Sequence, residues 1–171
     1  MPFIIRDFDP ADFEALWRID QNCFPPGISY SRAELKFYVR RHGSFTLVAV
    51  EGARAATAAS DFGKTKKNSP LVSQANPVAG FIVAEASRSS GHIITIDVIA
   101  AARRSGVGSL LLLAAEERLR AAQCYSIGLE TAVDNVSALA FYKRHGYSVV
   151  KTFPRYYSNG VDALVLKKNL V

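Results

Sequence analysis

The stretch Ile93-Ile94-Thr95-Ile96-Asp97-Val98-Ile99-Ala100-Ala101-Ala102-Arg103-Arg104-Ser105-Gly106-Val107-Gly108-Ser109 decides how this chain folds. Its first part is apolar and rich in β-branched residues, which predicts a strand over 92–99, and the run 107–122 carries a helical pattern. A basic glycine turn, Arg103-Arg104-Ser105-Gly106-Val107-Gly108, therefore joins a strand to a helix. The first N–H groups of a helix lack intrahelical partners, and the aligned peptide dipoles put about half a positive charge there. An anion docks at such an end, and glycines let the main chain approach it closely. Two arginines add charge-assisted bonds to phosphate oxygens. The ligand implied is a phosphorylated cofactor, held by Arg103, Arg104, Gly106, Val107, Gly108 and Ser109. Spacing excludes two better-known phosphate loops. The P-loop ends in Gly-Lys-Ser/Thr and the dinucleotide fingerprint needs three glycines, and this turn has neither.

The turn fits the pattern R/Q-x-x-G-x-G/A, and the segment Leu129-Glu130-Thr131-Ala132-Val133-Asp134-Asn135-Val136-Ser137-Ala138-Leu139-Ala140-Phe141-Tyr142-Lys143-Arg144-His145-Gly146-Tyr147 follows it. On these two segments, which cover the C-terminal half, the chain resembles the GNAT acyltransferase superfamily. Within it, the likeness is to the ribosomal-protein-alanine and Naa-type N-terminal acetyltransferases. The resemblance implies acetyl-CoA as cofactor, its pyrophosphate on the glycine turn and its pantetheine arm along the main chain of Ile96 and Val98. Asn135, first at its helix, is placed to cap it, and the resemblance implies that it also bonds the same arm.

Composition bounds the rest. With 171 residues, about half of them apolar, the chain suits one domain, read as 1–171 with an exposed, mobile loop insertion at about 60–77. Its start shows no basic leader with an apolar core, and no apolar run is long enough to cross a bilayer. The expectation is a cytoplasmic protein without a membrane partner. Cys23 and Cys124 are too few and too far apart for a disulfide framework or a metal cluster, so no metal is expected and each is read as a small buried hydrophobe. The formal charge of +6 is scattered over a loop, a helix and a terminal strand rather than gathered on one face. That distribution argues against a specific nucleic-acid partner and fits a polyanionic cofactor.

The element pattern is that of an α/β (α+β) chain: a mixed, mostly antiparallel sheet of about seven strands flanked by about four helices, the GNAT fold. Strands are expected over 2–8, 45–51, 78–86, 92–99, 125–133, 147–153 and 161–166. Asp9-Pro10 supplies an N-cap and first-turn proline for a helix to Cys23, with Phe13, Leu16, Trp17 and Ile19 inward. Ser31 and Glu34 form a capping box for a helix to Arg41. The third helix, 107–122, is expected to bury Leu110, Leu111, Ala114 and Leu119 and to leave Glu116, Glu117 and Arg118 outside. The fourth runs over 135–145 and closes at Gly146, with His145 structural.

Chemistry gathers around the strand 125–133, where Ser126, Gly128, Glu130 and Ala132 share a face too small to fill a core. Glu130 on that face is the candidate base, and the alternative for it is an ion pair with a basic neighbour. His92, at the start of the central strand, is the second candidate base, because some N-terminal acetyltransferases carry a catalytic residue near that position. Tyr142 lies on the fourth helix, and the resemblance makes it the acid that meets the departing thiolate and a contact of the cofactor. A resemblance also gives the acceptor surface: Phe24, Pro25 and Tyr30 in the loop Phe24-Pro25-Pro26-Gly27-Ile28-Ser29-Tyr30, and Tyr156 and Tyr157 in the segment after Arg155, are similar to loops that clamp a protein N-terminus. The expected activity is acetyl transfer by direct attack in a ternary complex, onto a protein or peptide N-terminal α-amine, ribosomal proteins among the candidates. Two alternatives remain open: a small-molecule amine such as a polyamine or aminoglycoside, and a catalytically silent CoA-binding module. The sequence leaves the oligomeric state undetermined.

Overall fold

A computed structural model describes residues 3–52 and 76–171. The loop expected at about 60–77 lies, up to residue 75, outside the described residues. The strands are β1 (Phe3–Asp7), β2 (Ser44–Glu51), β3 (Val78–Ser87), β4 (Ser90–Val98), β5 (Ser126–Ala132), β6 (Ser148–Phe153) and β7 (Ala163–Asn169). The helices are α1 (Phe13–Cys23), α2 (Arg32–Arg40), α3 (Val107–Ala121) and α4 (Val136–Arg144). The strands form one seven-stranded sheet in the order β1-β2-β3-β4-β5-β7-β6. Every neighbouring pair is antiparallel except β4 and β5. This is the mixed, mostly antiparallel architecture expected from the sequence.

Local chemistry sets the element ends. Asp9 caps a short 3-10 turn, Pro10–Asp12, through a capping box, and α1 starts only at Phe13. The carboxylate of Asp12, which closes that box, is also held by Arg6. Ser31 and Glu34 exchange the two capping bonds of α2 as their spacing predicts. Strands β2 and β3 are buried almost continuously because helices cover both faces. On one face Leu16, Ile19 and Leu35 of α1 and α2 pack with Val48, Phe81 and Val83. On the other, Val107, Leu111, Leu112 and Leu119 of α3 pack with Leu47, Ile82, Ile93 and Ile127.

The rotation of α3 differs from the expectation. Leu110 is 42% exposed, whereas Glu116 is fully buried. The run of leucines makes the helix apolar on most sides, so periodicity does not fix which side faces in. Glu116 is tolerated inside because Lys168 reaches it at 2.8 and 2.9 Å and the Tyr147 hydroxyl donates to it at 3.0 Å. A buried carboxylate with such partners ties α3 to β7 and to the end of α4.

Two irregularities of β4 position the site. Val83 pairs with Thr95 and Ala84 with Ile93, so Ile94 is an extra residue and β4 bulges there. On its other edge, β4 pairs with β5 only over Ser90–His92 against Ser126–Gly128. Past that point the two parallel strands diverge.

Candidate active site

The divergence opens a cavity of about 910 Å³ between β4 and β5, closed at one end by the turn into α3 and at the other by the loops after α1 and β6. Main-chain polarity along it follows from strand geometry. The N–H of Ile99 donates to Ala79 on β3, so peptide groups that alternate with it, those of Ile96 and Val98, turn toward the open edge. The Val98 carbonyl accepts there from Arg103 Nε at 3.1 Å and from the Cys23 thiol at 3.5 Å. Of the two cysteines, Cys124 is buried as expected, while Cys23 is only partly buried and borders the cavity.

At the basic end, α3 begins at Gly106 with φ of 90° and without a side-chain cap. A Cβ at Gly106 would meet nothing within 4 Å, so this glycine is required by its left-handed backbone and not by space. Gly108 differs: a Cβ there would lie 3.3 Å from the Phe141 ring, which packs against the helix start. Ser109 offers its main chain to the cavity while its hydroxyl donates to His145 Nε2 at 2.9 Å. The other imidazole nitrogen of His145 donates to the Phe141 carbonyl at 2.8 Å. That pair of bonds fixes the tautomer of His145 and locks α4 against α3. Val107 does not line the cavity, and its side chain is buried in the core. Asn135 caps α4 by accepting from Ala138 N–H at 3.2 Å and borders the cavity as well. Arg144, not singled out from the sequence, lines the cavity together with Arg103 and Arg104.

At the opposite end, Glu130 and His92 stand together: Nε2 of His92 lies 2.7 Å from Oε2 of Glu130. On the far side of the ring Nδ1 is 3.8 Å from Glu85, which in turn is 3.3 Å from Arg41. These groups line a smaller recess of about 150 Å³ with Tyr30, Tyr38, Tyr156 and Tyr157. The Tyr30 hydroxyl donates to the carbonyl of the bulged Ile94 at 3.3 Å, and Tyr30 and Tyr38 meet edge to face. Ser158 Oγ donates to the Gly27 carbonyl at 2.9 Å, so the two aromatic loops touch across the mouth although 131 residues separate them. Phe24 faces the large cavity, and Tyr30 and Tyr157 face both spaces. Tyr156 borders only the recess and Pro25 borders neither, its carbonyl instead closing a turn with the N–H groups of Ile28 and Ser29. Tyr142 is buried and lines the cavity, and burial above all raises its hydroxyl far over the ordinary value.

The model of the acetyltransferase (GNAT) family matches residues 13–147 of this chain. This chain belongs to the GNAT acetyltransferase family. It is 30% identical over 166 residues to an uncharacterized N-acetyltransferase of Methanocaldococcus jannaschii, covering 96% of this chain and 90% of that protein. It is 40% identical over 77 residues to the human N-alpha-acetyltransferase 30, a match that spans 45% of this chain and 21% of the human protein. Among solved structures, Ard1 from Thermoplasma volcanium superimposes with a TM-score of 0.79 at 27% identity, covering 100% of this chain and 99% of that one.

Three carboxylates of this GNAT acetyltransferase escaped the sequence reading. Glu85 stands 3.8 Å from His92 Nδ1, as described. Asp97 is 1% exposed on β4, and Asp20 on α1 is fully buried. Asp20 accepts from the Tyr30 N–H at 2.8 Å and from the Gln21 amide at 3.0 Å through Oδ2, which fixes the start of α2's approach to the site. Burial pushes its carboxyl up to about 6, and burial raises that of Asp97 well above the ordinary range. The signal for Asp97 lay in the sequence: an acid inside an otherwise apolar strand segment requires a reason.

Proposed function

We propose that this acetyltransferase moves acetyl from acetyl-CoA to the α-amine of a protein or peptide N-terminus, in a single domain, by direct attack within a ternary complex. The observation that carries the reading is the Glu130–His92 pair where β4 and β5 part, Glu130 on the cavity wall and His92 in the adjoining recess, with Tyr142 bordering the cavity and the aromatic loops over the mouth. The human relative, matched over part of its length, bears the name of an N-alpha-acetyltransferase.

The basic end fits a diphosphate. The uncapped start of α3 offers main-chain N–H donors and the positive end of the helix dipole, and Arg103, Arg104 and Arg144 add charge. The outward peptide groups of Ile96 and Val98 suit an amide-bearing arm laid along β4 as an added strand. Arg103 must then exchange its bond to the Val98 carbonyl for one to phosphate.

Acid–base demands are modest for such an acceptor. An α-amine, with an ordinary pKa of about 7.7–8.0, costs about half a kcal/mol to deprotonate near neutrality, whereas a lysine at about 10.4 costs roughly 4. Glu130, directly or through a water, takes that proton, and His92 with Glu85 behind it passes it toward solvent. The freed nitrogen attacks the thioester carbonyl, a C–N bond forms, the nitrogen gives up its second proton by the same Glu130–His92 route, and the C–S bond breaks to release the thiolate, which takes a proton from solvent. Tyr142 remains protonated, because its buried hydroxyl holds its proton more tightly than an ordinary phenol. Giving that proton up fully to a thiolate of pKa near 8.5 would be uphill by at least about 2 kcal/mol. Its role is therefore to donate a hydrogen bond to the developing sulfur charge.

Peptides with free and with blocked N-termini, incubated with protein and acetyl-CoA and read by mass spectrometry, test the reading. Acetylation is expected at the first nitrogen of free peptides. Acetyl confined to lysine side chains or to small amines would overturn it.

A further inference from the structure

On the acceptor side of the cavity stand two buried carboxyl groups, Asp97 and Asp20, with no ion-pair partner among the described residues. The bulge at Ile94 changes which side of the sheet the β4 side chains face. Before it, Ile93 packs with the α3 cluster; after it, Thr95 and Asp97 stand opposite Val83 and Phe81, which belong to the cluster under α1 and α2. Asp97 therefore points to the side of α1 and the Phe24 loop, and it borders the cavity together with Cys23, Phe24 and Arg103. Its two oxygens share one donor among the described residues, the Thr95 hydroxyl, at 3.3 and 3.4 Å. Arg103, the cation that acts on it, hydrogen-bonds instead to the Val98 carbonyl and the Cys23 sulfur. Asp20 stands behind it on α1, completely buried, and its Oδ1 has no partner among the described residues.

Buried carboxylates are normally paired with a cation or fully hydrogen-bonded. Here one carboxyl has a single donor at 3.3 and 3.4 Å, the other an orphan oxygen, and the first lies on the wall of a ligand cavity. We propose that Asp97, backed by Asp20, is a cation subsite, so that preferred acceptors carry a second protonated nitrogen, an ammonium or guanidinium, near the amine that is acetylated. This rests on the acceptor reading of the cavity and narrows it. An incoming cation supplies the donor that Asp97 lacks and favours its ionised form, and the reacting amine is thereby oriented toward Glu130. A neutral side chain in the same place offers the buried carboxyl no compensating charge.

The test compares acceptors matched in shape and unlike in charge: short peptides beginning with arginine against the same peptides beginning with citrulline, and 1,3-diaminopropane against propylamine. In the wild type kcat/KM is expected to favour the charged member by roughly tenfold or more, the scale of one charge-assisted hydrogen bond. In Asp97→Asn, which keeps size and Thr95 as a neighbour, the ratio is expected to fall to about one. Equal values for the two members in the wild type overturn the subsite whether or not the variant folds, and a preference that survives Asp97→Asn overturns the assignment to Asp97. Turnover of the diamine with none on any peptide supports the subsite while refuting the N-terminal reading, so the two failures are separable.

Discussion

The two ends of the cavity are built in different ways. The basic end comes from one contiguous stretch, Arg103 to Ser109, and the grip proposed for it resides in main-chain N–H groups, a left-handed Gly106 and a helix dipole. The acidic, aromatic end gathers Asp20 and Tyr30, Glu85, His92 and Asp97, Glu130, and Tyr157 from five separate parts of the chain. Main-chain chemistry at the first end is insensitive to most side-chain changes, provided the turn keeps its dihedrals. Side-chain chemistry at the second end depends on three strands and two loops being in register together. A family can therefore keep one donor and vary its acceptors.

The sharpest way to break this comparison is to remove the proposed base. Glu130→Gln preserves shape and is expected to lower kcat by about 10²- to 10⁴-fold while the Kd for CoA, read by calorimetry, stays within about twofold. An equal loss of CoA affinity would mean that the two ends are not separable. Tyr142→Phe comes next. Removing one donor to a charged atom costs about 1.5–3 kcal/mol, so kcat is expected to fall roughly 10- to 100-fold in stopped or continuous thiol-release assays. A variant as fast as wild type would remove Tyr142 from the mechanism.

Gly106→Val attacks the other end. A β-branched residue at a φ of 90° is strained, and single-residue left-handed strain of about 1–2 kcal/mol predicts a Kd for CoA raised roughly 5- to 30-fold. The KM for the acceptor at saturating acetyl-CoA is expected to remain near its wild-type value. A large change in acceptor KM alone would show that the glycine turn shapes the acceptor end too.

What the sequence disclosed follows the same division. The strand, turn and helix of the basic end were legible because their information is local: dihedral needs, caps and β-branched runs act within a few residues. Ser31, Glu34 and Asn135 cap their helices as spacing alone predicts. Glu130 and His92 were each recognisable as candidate bases, but their 2.7 Å contact depends on β4 and β5 pairing over only three residues, which no local pattern encodes. The inward face of Asp97 depends on the bulge at Ile94, and the burial of Glu116 on a lysine 52 residues away. Charged residues in apolar elements announce a partner without saying which one.

The smallest effect tests the burial of the acidic end through pH. Asp20 has its carboxyl pushed from an ordinary 3.8 up to about 6, with burial as the main cause. As pH falls through that window the native state takes up its proton before the unfolded chain does, so stability is greatest below about 4 and declines as pH rises toward 6. Asp97 acts in the same sense. Asp12 acts oppositely: the Arg6 side chain holds its carboxyl below the ordinary value, so its contribution is present above that value and lost in stronger acid. Asp20→Asn removes one of the two proton uptakes, and the slope of unfolding free energy between pH 4 and 6 is expected to lessen by at most about 1.4 kcal/mol per pH unit in urea titrations. An unchanged slope would mean that water reaches Asp20 freely. The acidic end would then be an open cleft, as solvated as the basic one, and the contrast between a desolvated acceptor end and a main-chain phosphate end would disappear.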